Sequence, residues 1–368
     1  MPTNGRIYPT YTEVFMIDLV NTLSALSRAP SPVGFEPIGS DALVELFSPH
    51  FDEWQKDAVG NHIFIRRCGR EGAPKLMIDA HFDEVGLIVT KIEENGTLRF
   101  TNLGGVDRRI LPAADVDIYG AEGTIYGVIA STPTHLLTAE ERKKLEKIDN
   151  MYIDTGYTKK ELEETLGVRV GTPIGFRPYV TELLSGRIAG RGFDDKACAA
   201  VALAAVCDAF ERGSVRFDVY VCISAAEENG MSGAEKAAFR IKPDLALVLD
   251  VGFAEAPDTS ASQGAFKLGS GFIASYSAVT DIKLTRRITR LADDLQIKNT
   301  ISVEPNSTGT NGDDVVLVEA GIPTAVLGIP LRSMHTYSEV IDTADMKALV
   351  DIVSAIIRDP GMEEYSRV

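Results

Sequence analysis

The stretch DVYVCISAAEE, residues 218–228, is an apolar run that ends in two adjacent glutamates. Three further apolar runs also end in an acidic or histidine side chain: KLMIDAH at 75–81, LALVLD at 245–250 and TAVLGIPLRSMH at 324–335. Short apolar runs of this kind predict strands that are buried on both faces of a sheet. Because ligands bind beyond the carboxyl ends of the strands in open parallel sheets, we expect these terminal side chains to converge on one site.

Helical patterns lie between and around these runs. Apolar residues recur at helical spacing in six segments: 12–26, 41–51, 195–212, 233–240, 281–296 and 343–359. Strands that alternate with helices are typical of a mostly parallel sheet that is covered on both faces. The predicted fold class is therefore α/β, with a mostly parallel sheet flanked by helices.

The segment 86–185 has a different pattern. Short β-like runs such as GLIVTKI at 86–92 alternate with glycine turns, which indicates a small β-rich domain. Two charged segments within it have a helical pattern, 138–149 and 158–167. We therefore predict a catalytic domain formed by 1–85 and 186–368, with an inserted domain at 86–185.

Composition limits the range of functions. The formal net charge of −16 over 368 residues disfavours binding to nucleic acid, which requires positive surface. No apolar stretch is long enough to span a membrane, and the N-terminal sequence has no signal-peptide pattern. The four cysteines form no CxxC pair, so neither a disulfide framework nor a thiolate metal site is expected. Together these features predict a soluble cytoplasmic protein.

His81 lies two residues before Asp83, and on an extended chain the two side chains share a face. His81 is a candidate metal ligand and Asp83 a candidate for orienting its imidazole, as partners of ligating histidines commonly do. The alternative is a partly buried histidine with satisfied hydrogen bonds. Asp194 and Asp195 open a helical stretch, so Asp194 is a candidate bridging carboxylate, and the alternative is that one of the pair caps the helix.

Glu227 and Glu228 follow a strand that should be central. Two acids beside a buried strand end are costly unless they are paired or bound to metal. Because successive side chains on an extended chain point to opposite sides, one glutamate can bind metal while the other faces the attacking water as a general base. The alternative is a solvated acidic loop.

Asp250 and His335 complete the set, although Asp250 could cap a turn and His335 could lie in a surface loop. The five candidate ligands offer only oxygen and nitrogen donors, a set suited to zinc, cobalt or manganese. If one carboxylate is shared, each of two ions keeps two further protein ligands. The pattern predicts two divalent metal ions per subunit and hydrolysis by an activated water molecule.

These residues lie in motifs that resemble the tetrahedral aminopeptidases. This family of cocatalytic dinuclear metallopeptidases includes glutamyl aminopeptidases and relatives sometimes labelled endoglucanases. The resemblance covers nearly the whole chain. It rests on seven segments: PSPVGFE at 30–36, VGN at 59–61, AHFDEVG at 80–86, FDDK at 193–196, AAEENGMSGA at 225–234, LDVG at 249–252 and MHTYSE at 334–339.

The resemblance implies a role for each candidate residue. One ion would be held by His81, Asp194 and Asp250. The other would be held by Asp194, Glu228 and His335. Glu227 would be the general base, with Asp83 behind His81. Related enzymes have a cis peptide after the bridging aspartate, so we expect a cis Asp194–Asp195 bond.

The resemblance also implies a zinc-exopeptidase type of fold in which the inserted domain is a small β-barrel. The expected activity is hydrolysis of N-terminal residues from peptides, by a homo-oligomer that is a dodecamer built from dimers. Two departures from the family pattern occur: Lys196 replaces an arginine, and TGTNGDD at 308–314 replaces a GGTDA stretch. Neither removes a candidate ligand, and the second puts substrate specificity in doubt.

Three other functions remain open at this point. A related dinuclear hydrolase, such as a carboxypeptidase or deacylase, would still cleave substrates with a blocked amino terminus. A glycoside hydrolase would need two carboxylates flanking the glycosidic bond and usually an aromatic-lined cleft, which a chain with one tryptophan is poorly placed to supply. A non-catalytic binding protein would have no need of all five candidate ligands.

Overall fold

The computed structural model describes residues 17–257, 259 and 266–366, and within them it contains seven α-helices and seventeen strands. The helices are α1 (Leu19–Arg28), α2 (Ser40–Phe47), α3 (Phe193–Arg212), α4 (Ser232–Ile241), α5 (Ile282–Asp294), α6 (Gly312–Val315) and α7 (Thr343–Arg358). The strands are β1 (Glu53–Lys56), β2 (His62–Arg66), β3 (Lys75–His81), β4 (Gly86–Ile92), β5 (Leu98–Leu103), β6 (Asp115–Gly120), β7 (Gly123–Ala130), β8 (Tyr152–Asp154), β9 (Pro173–Phe176), β10 (Val180–Glu182), β11 (Arg187–Gly190), β12 (Asp218–Ser224), β13 (Leu245–Phe253), β14 (Phe272–Ser277), β15 (Asn299–Glu304), β16 (Thr324–Leu331) and β17 (Glu339–Asp342).

Eight strands form the central sheet, in the order β1-β2-β12-β3-β13-β16-β14-β15. The four strands at its centre, β12, β3, β13 and β16, run parallel to one another. Both edges are mixed, because β2 pairs antiparallel with β12 and β14 pairs antiparallel with β16. The predicted α/β class with a mostly parallel sheet is therefore confirmed.

Helices cover both faces of this sheet. On one face, α1, α3, α5 and α7 pack into a core that includes Leu203, Val353 and Ile288. On the other face, α4 and α6 form a smaller core with Val248 and Val326. With helices on both faces, the central strands are buried over most of their length, as their continuous apolar sequences predicted.

A closed barrel is the second unit of the fold. Strands β4, β5, β8, β7, β6 and β9 close on each other between Gly86 and Phe176. Its interior is a separate apolar cluster that includes Phe100, Ile118 and Ile129. The chain enters the barrel just after His81 and leaves it before β10, which pairs with β11, and β11 in turn pairs with β17. The six barrel strands fall inside the predicted insertion 86–185, although its limits as a domain remain a prediction.

One predicted helix, 138–149, does not form, and another begins later than predicted. The segment 138–149 forms only three-residue 3₁₀ turns, Glu141–Lys143 and Ile148–Asn150, because it is exposed and has no apolar face to bury. The segment 158–167 is helical, as predicted, and contains a π-helical turn. The first helix begins at Leu19 with Asp18 as its N-cap, and the predicted residues 12–16 lie outside the described part of the chain.

None of the helices in the described ranges is long and apolar enough to cross a membrane.

Candidate metal centre

The carboxyl ends of the central parallel strands bring the candidate residues together. His81 is the last residue of β3, and Asp250 lies within β13. Glu227 and Glu228 follow β12, while His335 lies in the turn after β16. Asp194 reaches the same edge of the sheet from the start of α3. The sheet order places these elements side by side, which is the convergence that the sequence predicted.

Asp194 lies between the two histidines. Its Oδ1 is 3.1 Å from Nε2 of His81, and its Oδ2 is 3.2 Å from Nε2 of His335. Glu228 Oε1 is 3.1 Å from the same His335 nitrogen. One carboxylate thus presents a different oxygen to each imidazole, a geometry suited to a ligand shared by two ions.

Within the described part of the chain, two groups of donors are close enough to hold an ion, because the ligand atoms of each lie within 4.8 Å of one another. The first consists of His81, Asp194 and Glu228, and the second of His81, Asp195 and Asp250. The second group contains Asp195, which was not among the metal ligands predicted from the sequence. Asp195 Oδ2 accepts the backbone N–H of His81 at 3.2 Å, and its Oδ1 has no hydrogen-bond partner.

The helix-capping alternative does not account for Asp194 and Asp195. Both residues have non-helical backbone angles inside the α3 range, and the peptide bond between them is cis, as expected from the resemblance. Their carboxylates contact His81 and His335 rather than closing the first turn of the helix.

The adjacent glutamates are not a solvated loop, because the side chains of Glu227 and Glu228 are only 10% and 5% exposed. Their backbone N–H groups donate to the two carboxylate oxygens of Asp83, at 3.1 and 2.9 Å. The Asp83 carboxylate therefore fixes the glutamate turn. Asp83 contacts the His81 imidazole through its backbone carbonyl, 2.9 Å from Nδ1, whereas its carboxylate is 3.7 Å from that nitrogen.

The electrostatics of this cluster favour a bound cation. Burial raises the pKa of Glu227 to about 7, and burial together with Asp195 raises the pKa of Asp250 well above its usual value. Burial alone would lower the pKa of His335, but hydrogen bonds with Asp194 and Glu228 raise it to about 11. The site thus concentrates buried carboxylates whose cationic partners are imidazoles, and the donor set fits divalent metal ions.

Glu339 is a site residue that the sequence interpretation missed. Its Oε2 accepts the backbone N–H groups of Phe193, at 2.7 Å, and Asp194, at 3.4 Å, and its Oε1 accepts that of His335 at 3.3 Å. One buried carboxylate therefore ties the start of α3 to the His335 turn. Its position four residues after His335, inside MHTYSE, was the only signal in the sequence.

The first departure from the family pattern, Lys196 in place of an arginine, has a structural role. Lys196 is fully buried and donates to the backbone carbonyl of Ala29 at 2.8 Å and to Glu84 Oε2 at 3.1 Å. Arg191 donates to the same Glu84 oxygen at 2.8 Å. Glu84 directly follows Asp83, so Lys196 anchors α3 beside the site without contacting a candidate ligand.

The second departure, the TGTNGDD segment at 308–314, has residues in two different environments. Asn311 donates to Asp79 at 2.9 Å and to Ser224 at 3.0 Å, within the buried face of the sheet. Thr308 and Thr310 instead line an open cavity next to Asp250. The TGTNGDD segment therefore both supports the strand ends and faces the space where a ligand would bind.

Comparison with known proteins gives a family and a fold. A family model described as M42 glutamyl aminopeptidase matches residues 60–352. The lysyl aminopeptidase of Pyrococcus furiosus is 31% identical over 340 residues, which are 92% of this chain and 96% of that protein.

Two solved structures share the architecture. A TET aminopeptidase from a marine sediment Thaumarchaeota archaeon superposes with a TM-score of 0.87 at 30% identity, over 94% of this chain and 98% of that one. The Pyrococcus horikoshii TET1 peptidase, which can assemble into a tetrahedron or a large octahedral shell, gives 0.80 at 27% identity, over 92% and 99%. The chain therefore belongs to the M42 glutamyl aminopeptidase family and is a peptide hydrolase.

Proposed function

We propose that this aminopeptidase uses two divalent metal ions to remove N-terminal residues from peptides. The observation that carries the proposal is the position of Asp194, whose two carboxylate oxygens lie 3.1 and 3.2 Å from two different histidines. A single-ion site has no need of such a shared carboxylate. We assign zinc or cobalt, with manganese as a further candidate, because the donors are imidazoles and carboxylates without thiolates.

Each ion is assigned three protein ligands. His81, Asp194 and Asp250 would hold one, and Asp194, Glu228 and His335 the other. Asp195 also lies close to His81 and Asp250, and its Oδ2 accepts the His81 backbone N–H. Because the ligand set implied by the family resemblance does not include it, we assign it to positioning. When bound, two divalent ions polarise the scissile carbonyl and lower the pKa of water.

Glu227 is the proposed general base. Its Oε2 is 3.9 Å from Nε2 of His81, so it lies beside the ligands while Glu228 contacts His335. In this role it accepts the proton of the attacking water and transfers it to the leaving amine. Asp83 and Glu339 hold the two turns that carry these groups, through hydrogen bonds to backbone N–H groups.

Metal removal is the direct test of the cofactor. Exhaustive chelation is expected to abolish hydrolysis of amino-acid p-nitroanilides, and added zinc or cobalt should restore it, because the ions supply the activated water. Activity is measured on chelated and reconstituted protein together with metal content. Full activity in metal-free protein would contradict the proposal.

The same assay separates an aminopeptidase from a related deacylase or carboxypeptidase. Leucine p-nitroanilide should be cleaved, whereas its N-acetylated form should not, since an aminopeptidase requires a free amino terminus. Release of p-nitroaniline from both substrates at equal rates would contradict an aminopeptidase. A deacylase would instead release acetate from the blocked substrate, and a carboxypeptidase would cleave neither, since an anilide has no free carboxylate.

We also propose that the chain forms a large closed homo-oligomer, most simply a dodecamer built from dimers. The support is the similarity to the P. horikoshii TET1 peptidase and the barrel, which contributes none of the assigned ligands. Light scattering is expected to give about twelve times the 39.8 kDa subunit mass. A monomeric mass at working concentration would rule out the assembly.

A further inference from the structure

Two segments that carry the family resemblance, PSPVGFE at 30–36 and VGN at 59–61, supply none of the residues assigned above. Each ends in a buried polar residue, Glu36, which is 4% exposed, and Asn61, which is fully buried. Both side chains accept hydrogen bonds from the backbone of the turn that follows β12 and carries the two adjacent glutamates. The two segments therefore contact the candidate site from behind.

Four consecutive backbone N–H groups of this turn donate to side chains from other segments. These residues, 225–228, lie beyond the end of β12, so their N–H groups need acceptors outside the strand ladder. The acceptors, in chain order, are Asn61 Oδ1 at 3.0 Å, Glu36 Oε1 at 3.1 Å and the two Asp83 carboxylate oxygens at 3.1 and 2.9 Å. Because a buried donor without an acceptor is costly, these side chains fix the path of the turn.

The turn contains a strained residue directly before the proposed general base. Ala226 has a φ of 60°, in the left-handed region that residues with a Cβ rarely adopt. Glu36 Oε1 accepts its N–H, and the same oxygen accepts the N–H of Gly34 at 2.9 Å. Strained backbone of this kind persists where surrounding contacts over-determine it. A change in the Ala226 backbone would move the Glu227 side chain relative to His81.

Glu36 belongs to a segment that is itself tied to the one that carries Asp83. Pro32 and Glu84 form a parallel β-bridge, and the Val33 N–H donates to the Glu84 carbonyl at 3.0 Å. Asp83 directly precedes Glu84, so the acceptors of three of the four N–H groups come from joined segments. Side chains whose own positions are fixed in this way can hold a catalytic group precisely.

Asn61 joins the two ends of the loop between β12 and α4. Its Oδ1 accepts the Ala225 N–H, and its Nδ2 donates to the Gly233 carbonyl at 2.8 Å and to Asp57 Oδ2 at 2.6 Å. The loop ends lie so close together that a Cβ on Gly233 would be 1.9 Å from the Ala225 carbonyl oxygen. Asn61 therefore fixes Ala225, and Glu36 fixes the residue after it.

We infer that Glu36 is a positioning residue for catalysis, which holds Ala226 in its left-handed conformation and thereby aims the Glu227 carboxylate. The inference rests on the general-base role proposed for Glu227. The side-chain hydrogen bonds of Glu36 go to Gly34 and Ala226, neither of which is assigned to metal or substrate. Loss of these bonds should therefore impair proton transfer more than metal or substrate binding.

The first test removes the acceptor and then restores it. Glu36→Ala leaves the Ala226 N–H without its acceptor, whereas Glu36→Gln keeps a carbonyl oxygen in the same place. In the metal-loaded enzyme, Glu36→Ala should lower kcat roughly 10- to 100-fold, as expected for a misplaced catalytic group, with KM and metal content little changed. Glu36→Gln should recover most of that loss. Both constants are measured on leucine p-nitroanilide, with metal content determined on the same samples.

The second test repeats Glu36→Ala in a Glu227→Gln background. With the base already removed, Glu36→Ala should cause little further fall in kcat, because the group that it positions no longer transfers a proton. A fall by the same factor in both backgrounds would show general damage and overturn the inference. A wild-type kcat in Glu36→Ala, or a loss of metal that accounts for its loss of activity, would overturn it as well.

Asp244→Ala is the matched control, since it also removes a carboxylate acceptor from a backbone N–H, that of Lys75 at 2.8 Å. This contact lies at the amino ends of β3 and β13, at the opposite end of the sheet from the site. The variant should unfold at a lower temperature than wild type but keep its kcat.

If Glu36→Ala does not fold, Glu36→Asp replaces it in both backgrounds with the same expected direction, because the shorter side chain withdraws the carboxylate from the turn. The two proposals can also fail separately. If Glu227→Gln alone leaves kcat unchanged, the proposed general base is wrong and the inference falls with it. If Glu227→Gln lowers kcat but the Glu36 variants do not, only the inference is overturned.

Discussion

Replacing Glu227 by glutamine is expected to lower kcat by about 10²- to 10⁴-fold, the usual contribution of a positioned general base. The amide keeps the size of the side chain but cannot accept and return a proton. Because Glu227 is 3.9 Å from His81 and is not among the assigned ligands, the variant should still bind both metal ions. The measurement is kcat on a preferred p-nitroanilide, with metal content determined on the same sample.

Glu228→Gln is the matched comparison, since it makes the same chemical change one residue later. Glu228 contacts His335 at 3.1 Å, so this variant should lose affinity for one ion and regain activity when that metal is added in excess. The two variants should therefore differ in metal content and in rescue. If Glu227→Gln lost metal but kept its activity per bound metal, the two glutamate roles would be reversed.

The central residues of the candidate site could be predicted from the sequence because each lies where an apolar run ends in an acidic or histidine side chain. His81, Glu227, Glu228 and His335 follow apolar strands, and the end of a parallel strand is where an α/β fold binds its ligands. The acids also lie in positions where burial without a partner would be costly. The fold class followed from the same alternation of strands and helices.

The positioning residues could not be predicted in the same way. Glu339 and Asp195 act by accepting backbone N–H groups, which every residue except proline offers, so no pattern of side chains marks them. These contacts depend on tertiary arrangement rather than on local spacing.

For the segment 138–149, the local sequence pattern predicted a helix, and this prediction was wrong. Its charged residues have good helical propensity, but helices of this length are marginal in water unless an apolar face packs against the protein. The residues are exposed, so the chain forms isolated 3₁₀ turns instead.

Replacing Asp194 by asparagine should have the broadest effect on metal binding of any single change at the site. Its two oxygens face His81 and His335, so a neutral amide in this position weakens both ion sites at once. We expect loss of both ions and a fall in activity to roughly a thousandth or less, because the metal-activated water is lost and the general base is left without a nucleophile to activate. Metal content and kcat/KM are measured on the purified variant.

The variants Asp250→Asn and His335→Asn are compared with Asp194→Asn to test whether Asp194 binds both ions. Each of these residues is assigned to one ion only, so each variant should retain about one ion per subunit, since the other ligand set stays intact. Thermal unfolding of the chelated proteins controls for damage to the fold, because metal-free wild type and variant are then compared without the contribution of bound ions. If Asp194→Asn lost a single ion while Asp250→Asn lost both, the shared carboxylate would be Asp250, and the assignment of ligands to the two sites would have to be exchanged.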